Sequence, residues 1–337
     1  MKTPEAQPYQ NPPGLIASLM AGFDAVTRNI TLILIPVILD LFLWWGPHLK
    51  ISTLIQFLAN QMLSFPQQSP EATQYIQTSR EIWQYISDHL NLMIALRSYP
   101  VGVPSLMVSR LPLQTPGITQ PASWEIMNFW VGAGAWLGLT LCGLIIGTFY
   151  FLIVAHVSVK GNSKLSSIIK IWLGTSFQVV LLSLLWLILL VAVSIPAGCI
   201  FSILALGSPA IARIALFLYG GGIIWFLFPL LFSPHGMFLN GNTVFESVRK
   251  AVRITRMTLP TTSFLFLSIL LLSQGLDILW GSPNETSWFS FLGIAGHAFI
   301  TTGLLATSFV YYNHADQWTQ KVMARQIQPP AVQINRV

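Results

Sequence analysis

Six apolar runs, residues 30–45, 129–156, 172–195, 210–232, 259–280 and 289–312, set the terms on which this 337-residue chain can fold. A hydrocarbon core of ~30 Å takes about 20 apolar residues in a helix. Lipid offers no partner to a bare N–H or C=O, so the crossing segments must be helices; the runs are continuous and do not alternate with period two, which excludes a β-barrel. The first run is the shortest and contains Pro36 and Asp40. Charged residues make up 8% of the chain, against about 25% in soluble domains. A soluble enzyme, a disordered chain and a disulfide scaffold are thereby ruled out. The expected fold class is all-α: a polytopic transmembrane helical bundle of about six spans in three hairpins, each preceded by a cytoplasmic interfacial amphipathic helix.

The basic residues orient these spans. Lys160, Lys164 and Lys170 lie between spans two and three, and Arg249, Lys250, Arg253 and Arg256 between spans four and five, whereas the turn between spans five and six has no Lys or Arg. By the positive-inside rule both termini are cytoplasmic, in the plasma membrane. The net charge of +6 is accounted for by this topology, with no nucleic-acid partner. The domain plan is residues 1–29 as cytoplasmic tail and interfacial helix, 30–46 as the first span, 47–127 as an extracytoplasmic helical and Pro-rich segment, 128–313 as the remaining bundle, and 314–337 as a cytoplasmic tail. Residues 1–13 lack the basic and apolar regions of a signal peptide, so the mature chain is expected to keep its start. Cys142 and Cys199 fall in or beside apolar runs and read as small buried hydrophobes.

The chain reads as internally repeated. Span one ends Leu39-Asp40-Leu41…Trp45-Gly46-Pro47 and span five Leu276-Asp277-Ile278…Trp280-Gly281-Ser282-Pro283; each is preceded by a Thr-Arg pair, Thr27-Arg28 and Thr255-Arg256. His156 and His235 are each followed by Gly-Asn, Gly161-Asn162 and Gly241-Asn242. Short amphipathic stretches lead the outward spans: Ile16, Leu19, Phe23 and Val26; Leu165, Ile168, Ile169 and Trp172; and Phe245, Val248 and Val252, opposite which Arg249, Arg253 and Arg256 face lipid head groups. The run Ser247-Val248-Arg249-Lys250-Ala251 feeding a span, and a last span closing on Tyr311-Tyr312, resemble a broad group of uncharacterised six-pass bacterial membrane proteins, similar to the membrane domain attached to some glycerophosphodiester phosphodiesterases. The resemblance is carried mainly by the last third of the chain. It implies a bacterial membrane module of unassigned activity, without the catalytic phosphodiesterase domain.

In the outer segment, Ile51, Leu54, Ile55, Leu58, Met62 and Phe65 predict one helix. Ser69-Pro70-Glu71 opens a second, with Tyr75, Ile82, Trp83, Ile86, Leu90 and Met93 toward one face. After Ser98, five prolines from Pro100 to Pro121 predict irregular chain. Such an apolar surface is either a docking face or is covered by the chain's own bundle, the latter being preferred.

Asp40, Asp277 and His297 stand at membrane depth, where a charge costs about 2.5–3.5 kcal/mol and needs a partner or a neutral form. One arrangement gathers all three into a polar intramembrane site of an ion- or proton-coupled transporter. The other, preferred, leaves Asp277 at the interface beside Trp280 and Asp40 protonated or water-linked. His297 in Gly293-Ile294-Ala295-Gly296-His297 could also ligate haem or chlorophyll, though small-flanked histidines usually pack; no cofactor is expected. His156, His235 and His314 lie at similar depth but have no metal-site spacing. Gly134, Gly138, Gly143 and Gly147 are candidate helix-packing positions, and Gly220, Gly221 and Gly222 a candidate helix break. No catalytic motif occurs. The leading expectation is a non-enzymatic accessory, scaffold or assembly subunit of a larger membrane complex, with lipids and membrane proteins as partners. A transporter is the alternative, and a lipid-directed enzyme, for which no nucleophile stands out, the weakest reading.

Overall fold

The computed structural model describes residues 14–63, 70–116, 121–161 and 164–327; the expectations placed on residues 1–13, Phe65, Ser69, Asn162 and Arg336 lie outside them. The chain runs α1 (Leu15–Arg28), a 3-10 turn (Ile30–Ile33), α2 (Leu34–Trp45), β1 (His48–Lys50), α3 (Ser52–Met62), α4 (Pro70–His89), α5 (Met107–Arg110), β2 (Ser123–Glu125), α6 (Phe129–Lys160), α7 (Leu165–Gly207), α8 (Pro209–Leu227), α9 (Ser233–Asn240), α10 (Val244–Met257), α11 (Leu259–Trp280) and α12 (Ser290–Ile327). Among the described residues five helices are long and apolar enough to cross a membrane. A sixth is obtained if α1 and the Ile30–Trp45 stretch count as one span, although the two meet at 92°. The chain is a helical membrane protein.

α12 is the central helix, packed against α1, α2, α6, α10 and α11. Around it a core of Tyr150, Leu152, Phe232, Phe238, Phe309, Tyr311 and their neighbours closes off from lipid. Lipid removes most of the hydrophobic drive between helices, so association rests on close packing. Gly22 of α1 supplies it: a Cβ there would fall on the backbone of Thr307. The buried face of α1 is therefore Ser18, Gly22 and Val26, while Ile16 and Met20 look outward. Of the apolar stripe Ile16, Leu19, Phe23 and Val26, only Val26 is fully buried, because in lipid a greasy side is free to face away. The same offset holds in α10, where Val244, Ser247, Ala251 and Ile254 are buried and Phe245 is exposed, with Arg249, Arg253 and Arg256 on the open side. Hydroxyls in the spans bond back to carbonyls of their own helix, Thr148 to Leu144 at 2.7 Å and Thr307 to Gly303 at 2.8 Å, which spares them an unmet donor in hydrocarbon.

Several expectations change. The second amphipathic stretch is no separate helix, since α7 runs unbroken from Leu165 to Gly207. α8 likewise passes continuously through Gly220, Gly221 and Gly222; the interruption comes later, in a 3-10 turn at Phe228–Leu230 that contains Pro229. Of the packing glycines, Gly143 and Gly147 do meet neighbours, Leu96 and Gly102, but Gly134 and Gly138 have nothing within 4 Å. Cys142 and Cys199 are exposed, on helix faces that the chain does not cover. The chain is not wholly α-helical either: β1 and β2 pair in parallel, His48 opposite Ser123 and Lys50 opposite Glu125. After Ser98 the prolines leave room for α5 and β2, so the segment is less irregular than expected.

The segment between α2 and α6 folds against itself and against α6. Ser52 Oγ on α3 donates to the Ser87 carbonyl on α4 at 2.9 Å, and Ile51, Leu54 and Leu58 line an apolar groove of ≈ 300 Å³ with Phe129 and Trp136 of α6. His48 on β1 is buried; that burial first, and the neighbouring Lys50 charge second, hold its imidazole below the usual range. The unfolded chain then binds a proton below about pH 6.5 that the folded chain refuses, so stability falls as the pH drops through that value. A thermal melt in detergent should show a lower Tm on acidification, and His48→Gln should flatten that dependence; identical pH curves for the two proteins would contradict it.

Candidate functional site

Asp40 is fully buried on α2. Its carboxylate accepts from the Ser105 hydroxyl and from the backbone N–H groups of Met107, at 3.0 Å, and Leu106, at 3.1 Å. Val108 N–H donates to the Ser105 oxygen at 3.2 Å. The first N–H groups of α5, which a helix cannot satisfy within itself, thus find partners on Asp40 and Ser105. Asp40 thereby acts as a clamp that fixes residues 105–110 onto α2.

Asp277 and His297 face each other across α11 and α12, the imidazole Nδ1 donating to Asp277 Oδ1 at 2.7 Å. The structure brings these two together and leaves Asp40 bonded elsewhere, to Ser105, Leu106 and Met107. His297 is itself buried, and its Nε2 has no hydrogen-bond partner. That nitrogen does not offer a pigment or haem site. The small neighbours that would let a macrocycle approach are already covered: a Cβ on Gly296 would lie 2.7 Å from the Trp280 ring, and Gly293 abuts the Trp280 carbonyl. Among the described residues no group of three or more His, Cys, Asp or Glu could hold a metal ion. His156 Nδ1 bonds the Leu152 carbonyl and His235 Nε2 the Ser308 hydroxyl, each at 2.9 Å, so the histidines at the far end of the spans are occupied separately.

The Asp277–His297 pair lines a cavity of ≈ 310 Å³ between residues 97–110 and the ends of α11 and α12. Two residues there were missed in the sequence: Arg97 and Arg110. Arg110 Nη2 donates to the Pro283 carbonyl, and the Arg97 guanidinium stands 5.3 Å from the centre of the Tyr99 ring. Among the described residues neither cavity arginine has a carboxylate within 4.0 Å. A signal was present: between Leu90 and Ser123 these two are the only charged side chains in the sequence. Ser109, Ser273, Gln274 and Thr301 complete the polar wall, giving two planar cations, one hydrogen-bonded Asp–His pair and several neutral polar groups at the edge of an apolar helix. No family model, curated protein or solved structure matches the chain.

Proposed function

We propose that this chain is a non-enzymatic membrane protein that works by association, as an accessory, scaffold or assembly subunit of a larger complex. In this reading it crosses the plasma membrane six times as three hairpins with both termini cytoplasmic, and Arg249, Arg253 and Arg256 of α10 lie against anionic head groups. The observation that carries it is the state of α8 and the first half of α6. No residue of the most apolar stretch of α8 is buried, and Gly134, Gly138, Gly220, Gly221 and Gly222 all look into open space. Lipid alone asks for no glycine on a helix surface, whereas a neighbouring helix at close range does.

The test is purification in mild detergent with mass determination of the particle. A stoichiometric partner is expected, and Gly134→Leu with Gly138→Leu should release it while leaving the chain's own melting temperature unchanged. A lone monomer from the native membrane would count against the proposal.

One observation favours a second reading, a proton-coupled transporter: the pairing of buried His297 with half-buried Asp277 beside an accessible cavity. Under that reading Asp277→Asn abolishes coupled flux in proteoliposomes; under the first it leaves partner binding intact.

A further inference from the structure

Arg97 and Arg110 carry their charge in a place where charge is otherwise scarce. Both come from the outer segment, both line the ≈ 310 Å³ cavity, and between them they make one hydrogen bond, from Arg110 to Pro283. The acids nearby are committed, Asp40 to Ser105, Leu106 and Met107, and Asp277 to His297. A guanidinium has five donors in a planar fork that matches the oxygens of a phosphate. Two of them, short of partners at a membrane edge, leave a net positive opening in a low-dielectric setting, where an anion is held more strongly than in water.

What adjoins the opening narrows the ligand. The α11 wall of the cavity contains Gln274 and Ile278, and Ile278 is 78% exposed. Leu270, Leu271 and Leu279 of the same helix are also exposed. An apolar strip thus leads directly from the lipid to the two arginines. We propose that this cavity binds the phosphate of an amphiphile, the phosphodiester of a phospholipid head group, with Arg97 and Arg110 as the binding residues and the acyl chains lying along α11. The proposal does not rest on the scaffold reading, and it gives the cavity beside Asp277 and His297 a lipid in place of a transported solute.

The experiment is native mass spectrometry of the delipidated full chain in detergent, titrated with dioleoylphosphatidylglycerol and, separately, with dioleoylglycerol, which has the same chains and no phosphate. The expected result is one tightly retained phosphatidylglycerol and at least tenfold weaker retention of dioleoylglycerol. Arg97→Gln with Arg110→Gln should lose that one lipid without a change in circular dichroism. Inorganic phosphate added as a competitor distinguishes the sources: displacement at millimolar concentration marks a site for phosphate itself, and failure to displace marks one that needs the whole lipid, either outcome keeping the phosphate chemistry. Equal retention of the two lipids by the wild-type chain overturns the proposal, and that comparison needs no variant to fold. Unaltered phosphatidylglycerol binding by a folded double variant overturns it equally.

Discussion

Gly22→Leu is expected to separate α1 from α12 and to lower the stability of the folded chain by about 3 kcal/mol or more, at the upper end for overpacking. The reason is what the new side chain would meet. A Cβ at Gly22 lands on the backbone of Thr307, which cannot rotate away as a side chain could. Relief requires the helices to part, and parting them loosens the contacts of Ser18 and Val26 along the same face. Thermal unfolding in detergent reads the effect, and protease cleavage near Arg28 reads the detachment. Gly134→Leu is the comparison: with nothing within 4 Å of that position, a change within about 0.5 kcal/mol is expected. Equal losses in the two variants would remove the close-packing account of α1.

The second large effect is at Asp40. Asp40→Ala would strand the Ser105 hydroxyl and two N–H groups in a buried turn. At about 1–3 kcal/mol for each unmet group, a loss of roughly 3 kcal/mol or more follows, with the 105–110 turn becoming open to proteolysis. Asp40→Asn retains an acceptor and should cost distinctly less. A clamp predicts this order in melting temperature. A proton-carrying Asp40 predicts the reverse emphasis: stable variants, with coupled transport abolished by Asn as fully as by Ala. The two roles are therefore separable by measuring stability and flux on the same pair of variants.

The spans were legible because a bilayer imposes length and apolarity on every crossing segment, and continuous runs of that kind survive any detail of packing. Which side of each helix turns inward was not. In α1 the stripe of Ile16, Leu19, Phe23 and Val26 marks an amphipathic stretch, and a rule for water-soluble helices would bury it. Lipid loosens that rule, and small Ser18 and Gly22 take the contact instead. The glycines of α6 show the same limit from the other direction. Gly134 and Gly138 are spaced like Gly143 and Gly147, yet only the latter two meet the chain, because Leu96 and Gly102 arrive from a segment far away in sequence. The candidate site was half visible. Asp277 and His297 announced themselves as polar groups at membrane depth, and they do pair. Arg97 and Arg110 were hidden in a proline-rich stretch whose course depends on Asp40 gripping Ser105, a contact across 65 positions with no local signature.

The parallel pairing of β1 with β2 has a wider consequence. The chain leaves α2 through His48–Lys50 and enters α6 through Ser123–Glu125, side by side. The excursion therefore begins and finishes at one spot. Its contour length is decoupled from the distance between the two helices it connects, and closing a longer excursion adds only a slowly growing entropic cost. Residues added to the α3–α4 portion, or trimmed from it, would leave the arrangement of the long helices as it is.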